Sequence, residues 1–173
     1  MNVHPLLVHY PIAFFMTYAV FELVRFKKII KQPYWFYVKA ILVCLGVVSA
    51  FAAGVAGKII QPQFTQKTLV SIHEHVNESA TIVFTIIAFC YIISWIQQTK
   101  SNSTLLQSNK FWTVSLKIEH MVLHTPFLYF LVIPGLLLIT LGGTLGGIIV
   151  YGPNLDPITS FVYSLLLSAG ILK

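Results

Sequence analysis

Four apolar runs, each long enough to cross a bilayer, leave this chain of 173 residues few folds to choose from. A helix needs about 20 apolar residues to pass through hydrocarbon. The runs lie over about 6–25, 35–58, 75–97 and 120–151, and a shorter one over 158–172 dips into the membrane or lies along it. Hydrophobic residues make up 57% of the chain and charged ones only 9%, with a mean hydropathy of +0.81, which excludes an ordinary soluble domain. The reading is an all-α membrane protein, a single four-helix transmembrane bundle with a short apolar C-terminal segment. No basic residue precedes the first run and no small-residue cleavage site follows it, and Arg25, Lys27, Lys28 and Lys31 come directly after. That pattern reads as a retained span with a stop-transfer flank, not a signal peptide.

The cations also give an orientation. Arg25, Lys27, Lys28, Lys31 and Lys39 follow the first span, and Lys100, Lys110 and Lys117 follow the third, against Lys58 and Lys67 between spans two and three. The positive-inside rule then puts the N-terminus outside, as in a bacterial inner-membrane protein, with Trp35, Trp95 and Trp112 near the inner interface. This bias accounts for the net charge of +6. No basic cluster stands with stacking aromatics outside the membrane, so the sequence gives no sign of nucleic-acid binding. Cys44 and Cys90 lie within spans, far from any C-x-x-C-H, which excludes covalent c-type haem.

Histidines carry the remaining chemistry. His4 and His9 open the first span in "HPLLVHYP", and His73 and His75 open the third in "HEHVNESAT". Those spans run in the same direction, so two helices bring imidazole to one outer level. A ring facing lipid would lose its hydrogen bonds, so such rings turn toward protein or the interface. Three readings stand for the outer cluster: polar caps, axial ligands of a haem iron between spans one and three, or a copper, zinc or non-haem iron site. His73 and His75 are two apart and point to different sides of a helix, so one of them faces His9.

A second cluster, Glu119, His120 and His124, precedes the fourth span at the inner side. His120 and His124 share a helix face, which suits two corners of a metal site but not both axial positions of one haem. "HYPIAFF" at His9 and "HTPFLYF" at His124 share a His-x-Pro spacing and suggest an inverted repeat. Ala50/Gly54, Ala53/Gly57, Gly142/Gly146 and Gly143/Gly147 are small-x-x-x-small pairs that let helices, or neighbouring copies of the chain, approach closely; the alternative is that they make room for the flat face of a cofactor. Glu22 is an intramembrane carboxylate whose partner on spacing is Arg25.

The opening His4-Pro5-Leu6-Leu7-Val8-His9-Tyr10-Pro11-Ile12 is similar to the H-P-x-x-V-H-F-P-I start of a bacterial four-span membrane family catalogued as a domain of unknown function, DUF2231. Leu145-Gly146-Gly147 followed by Val150-Tyr151-Gly152 resembles that family's closing L-G-G-x-L-V-Y segment. Family members often carry a histidine before the L-G-G and another after the V-Y, where this chain has Thr144 and Gly152 to Asn154. The resemblance implies redox work by association with cytochrome-c or Rieske-type domains, an analogy and not a mechanism. The function expected is membrane electron transfer through a b-type haem held by His9 and one of His73 or His75, with His4 beside them. Its partner would be periplasmic or a quinone. The rivals are a metal or proton transporter using the same histidines, with His120 and His124 as further ligands, and a structural membrane subunit. No hydrolytic motif is present; "HEH" lacks the i, i+4 spacing of a zinc protease.

Overall fold

A computed structural model describes residues 4–23, 32–60, 65–99, 110–124 and 126–172. Among the described residues six helices follow one another: α1 (His4–Leu23), α2 (Tyr34–Ile60), α3 (Lys67–Thr99), α4 (Lys110–Leu123), α5 (Phe127–Tyr151) and α6 (Pro157–Ser168). Among the described residues α1, α2, α3 and α5 are long and apolar enough to cross a membrane. The result is an all-α bundle of four spanning helices with a shorter apolar helix behind them.

Local chemistry sets the helix ends. At the N-terminal end of α3 a polar stretch lies inside the helix, because its side chains bond along it: Asn77 Nδ2 donates to the His73 carbonyl at 2.7 Å and Ser79 Oγ to the His75 carbonyl at 2.8 Å. The third span therefore begins at Lys67, ahead of its apolar run. The fourth run is divided. α4 stops at Leu123 and α5 starts after Pro126, which has no amide hydrogen with which to continue the α4 ladder. α4 buries Trp112, Ser115, Glu119 and Val122 and exposes Phe111, Val114, Ile118 and Met121. In α6 the Asp156 carboxylate accepts from the Ile158 and Thr159 amides, the Thr159 hydroxyl closes a capping box, and Pro157 occupies the first turn.

α1 packs mainly on α2 and α3 mainly on α5, while α2 also meets α3 and α5 meets α1. The four therefore form a square in which α1 and α3 stand diagonally opposite and run parallel. Both hairpins use one register. His4, Phe15 and Glu22 on α1 are spaced as His73, Phe84 and Tyr91 are on α3, and Gly46, Ala53 and Gly57 on α2 are spaced as Gly135, Gly142 and Gly146 are on α5. Phe15 packs on Gly46 and Phe84 on Gly135, and the two rings stack across the bundle centre, 4.1 Å between centroids and 10° from parallel. Val43 and Val132 occupy equivalent, fully buried positions. Offsets of 11 and 18 residues are close to three and five whole turns of about 3.6 residues, so all three members lie on one face of each helix. Two equivalent hairpins thus surround a pseudo-twofold axis along the bundle.

Candidate functional site

One end of the bundle holds an imidazole pair. His4 is the first residue of α1, and its Nδ1 donates to the Ala53 carbonyl of α2 at 3.2 Å while its Cε1 lies 3.1 Å from where a Cβ on Gly57 would stand. His73 repeats this on α3: Nδ1 donates to the Gly142 carbonyl of α5 at 3.0 Å, and Cε1 lies 3.2 Å from a Cβ on Gly146. In both hairpins the carbonyl comes from the first small residue of a small-x-x-x-Gly pair, and the second clears space for the ring. An imidazole whose Nδ1–H is committed to a carbonyl has Nε2 as its lone-pair nitrogen, the state in which histidine binds metals. His4 and His73 lie within electrostatic reach of one another.

The pair is not quite symmetric. Asn77, at the place of Val8 in the other hairpin, sets its Nδ2 3.2 Å from Nδ1 and 3.3 Å from Nε2 of His73. Since Nδ1 donates to Gly142, the ring nitrogen able to accept from Asn77 is Nε2. The Asn77 Oδ1 lies close to the Gly142 backbone, filling the space a Cβ there would need.

The other expected residues lie elsewhere. His9 is exposed on α1, five residues and about 140° of helix turn from His4. His75 is exposed and bonds back along its own helix to the Ser71 carbonyl at 2.7 Å. The inward imidazole of "HEH" is therefore His73, and its counterpart on α1 is His4, not His9. The small pairs Ala53/Gly57 and Gly142/Gly146 receive imidazole rings, whereas Gly54 meets nothing within 4 Å.

His120 and His124 lie on α4 and its end, with ring centroids 5.3 Å apart, and His124 Nε2 is 3.2 Å from the buried Glu119 carboxylate. Glu119 is near Cys90, which is 17 residues along α3 from His73 and so about 26 Å away at 1.5 Å per residue. The two clusters cannot share a ligand. Among the described residues no group of three or more His, Cys, Asp or Glu side chains is placed to hold a metal ion. The packing carries a parallel relation between hairpins, and the His-x-Pro likeness of His9 and His124 has no part in it. Glu22 pairs with Lys39 of α2 at 2.7 Å, a partner that spacing within one helix does not reveal; Arg25 lies outside the described residues.

Residues 1–156 match the model of a family described as "Predicted membrane protein (DUF2231)". The chain belongs to that family. Its four spans and its match over most of the length put this DUF2231 protein in the membrane. Neither the curated proteins nor the solved structures contain a match to the chain.

Proposed function

We propose that this DUF2231 protein is a membrane electron-transfer protein holding one b-type haem between α1 and α3, with His4 and His73 as axial ligands. One observation carries the reading: two imidazoles occupy equivalent places on diagonally opposed helices, each with Nδ1 tied to a carbonyl, the tautomer that puts the lone pair on Nε2, and at His73 Asn77 Nδ2 stands 3.3 Å from that nitrogen. His4 and His73 stand on diagonally opposite helices and would hold the group between them. A pair that no third His, Cys, Asp or Glu joins into a metal-holding group among the described residues suits an iron whose other ligands would come from a porphyrin better than a protein-only site, where four ligands are usual for zinc. When bound, the haem would supply one-electron chemistry, with a potential set by its axial ligands and the low dielectric around them.

The chain's own part is orientation. Gly57 and Gly146 let the rings lie against the helix backbones, the Ala53 and Gly142 carbonyls hold them, and the Phe15–Phe84 stack closes the bundle below. Among the described cations, Lys39, Lys110 and Lys117 sit toward the end away from the histidines, and Lys58 and Lys67 toward the histidine end. With the cations after the first span, this bias supports an inner membrane with the histidine end outward. The electron partner is then a periplasmic protein or a quinone in the outer leaflet. The test is a reduced-minus-oxidised spectrum of protein purified from haem-replete cells. It should show the sharp bands of a low-spin b-type centre; protein that stays colourless after haem titration overturns the reading.

A further inference from the structure

Away from the histidines, the bundle buries a second polar set on the same axis. Glu22 is 7% exposed, its carboxylate 2.7 Å from Lys39 Nζ and 3.2 Å from the Tyr91 hydroxyl, which donates to it. Glu22 and Tyr91 are equivalents in the two hairpins, so the contact crosses the pseudo-twofold axis, as the phenylalanine stack does. Tyr18 is fully buried with its ring edge-on to Tyr91, 6.0 Å between centroids, and its hydroxyl has no hydrogen-bond partner among the described residues. Among the described residues the titratable or charged groups around Glu22 are Lys39 on α2, Tyr91 on α3 and Tyr18 on its own helix, with Cys90 beyond Tyr18 and Glu119 on α4 beyond Cys90.

A way in from the aqueous side is also present. Lys39 lines a groove of about 430 Å³ with Gln32, Trp35, Phe36, Tyr37 and Gln98 at the end opposite the histidines. We propose that Glu22 and Lys39 form a proton-binding pair reached through this groove. The proposal does not depend on the haem. A carboxylate buried in a span is costly and is functional by default. In the paired state the two charges cancel. A hydronium ion reaching the groove gives its proton to Glu22 Oε2, forming an O–H bond and leaving water. The carboxyl is then neutral and Lys39 carries an uncompensated charge. The burial of that charge would forbid the step, except that Lys39 already borders the groove and can turn its ammonium into it. Tyr91 goes on donating to the carboxyl oxygen, which keeps the acid from being left without a partner.

Infrared difference spectroscopy of the full chain in lipid nanodiscs, titrated toward acid, reads this directly. The carbonyl stretch of a buried carboxylic acid should appear in the wild type and be lost in Glu22→Gln. Lys39→Gln should move the pH at which that band appears, since it removes the opposite charge bonded to the carboxylate. An acid-induced carbonyl spectrum identical in the wild type and Glu22→Gln overturns the proposal, and so does a Glu22 band whose appearance is unmoved in Lys39→Gln; a band from the buried Glu119 would be common to all three proteins. The second variant serves if the first does not fold.

Discussion

At Gly46 an added Cβ would stand 2.5 Å from two atoms of the Phe15 ring, which is itself stacked on Phe84 and has nowhere to move. Gly46→Ala should therefore lower stability by about 1–3 kcal/mol through overpacking. Gly54→Ala, into open space, should be neutral or stabilising by up to about 1 kcal/mol from helix propensity. Thermal unfolding of both variants in one detergent checks the contrast; equal effects would mean that the Phe15 contact is absent. The same contrast shows what could be read from the sequence. Small pairs at four-residue spacing were visible on α2 and α5, but spacing alone does not say which pairs face a ring and which face open space. The inward members of the outer histidine set were hidden for a related reason. His4 and His9 are alike by composition, and about 140° of rotation around the helix decides between them. A signal was nevertheless present: His4-Phe15-Glu22 and His73-Phe84-Tyr91 repeat the spacings 11 and 7. That repeat selects His4 and His73 without any coordinates. Lys39 as the partner of Glu22 was not legible, because it depends on how α2 lies beside α1.

Among the elements, the spanning helices were legible from apolar length, since hydrocarbon demands that each segment pair its own backbone. Their ends were less so. α3 reaches back to Lys67 through side-chain bonds along a polar stretch, and the fourth run is cut at Pro126 by a missing donor in the middle of apolar sequence. α6 is held mainly by its start. Asp156 satisfies two free amides there, so Asp156→Ala should weaken that helix by about 0.5–2 kcal/mol. Hydrogen exchange should then speed up over residues 158–160 and leave α3 unchanged. Unchanged exchange in α6 would mean that packing of Val162, Tyr163 and Leu166 against the Leu69, Leu145 and Ile148 cluster holds it without the cap.

The whole molecule is two equivalent hairpins around one axis, with an imidazole pair near one end, stacked phenylalanines in the middle and a buried acid near the other. No apolar pattern discloses that arrangement, because lipid-facing and core-facing positions are both apolar in a membrane helix. It comes instead from where the small and polar residues fall. The orientation drawn from the cations predicts that Thr65→Cys is labelled by an impermeant thiol reagent from outside the cell and Lys110→Cys is not; the reverse pattern would turn the molecule over. The central claim is that His4 and His73, and not the exposed His9 and His75, form the ligand pair. Haem titration of four purified variants tests it most directly. His4→Ala and His73→Ala should each abolish the six-coordinate low-spin spectrum, while His9→Ala and His75→Ala keep the wild-type bands. A low-spin spectrum that survives the loss of His73, or one lost with His9, would contradict the account.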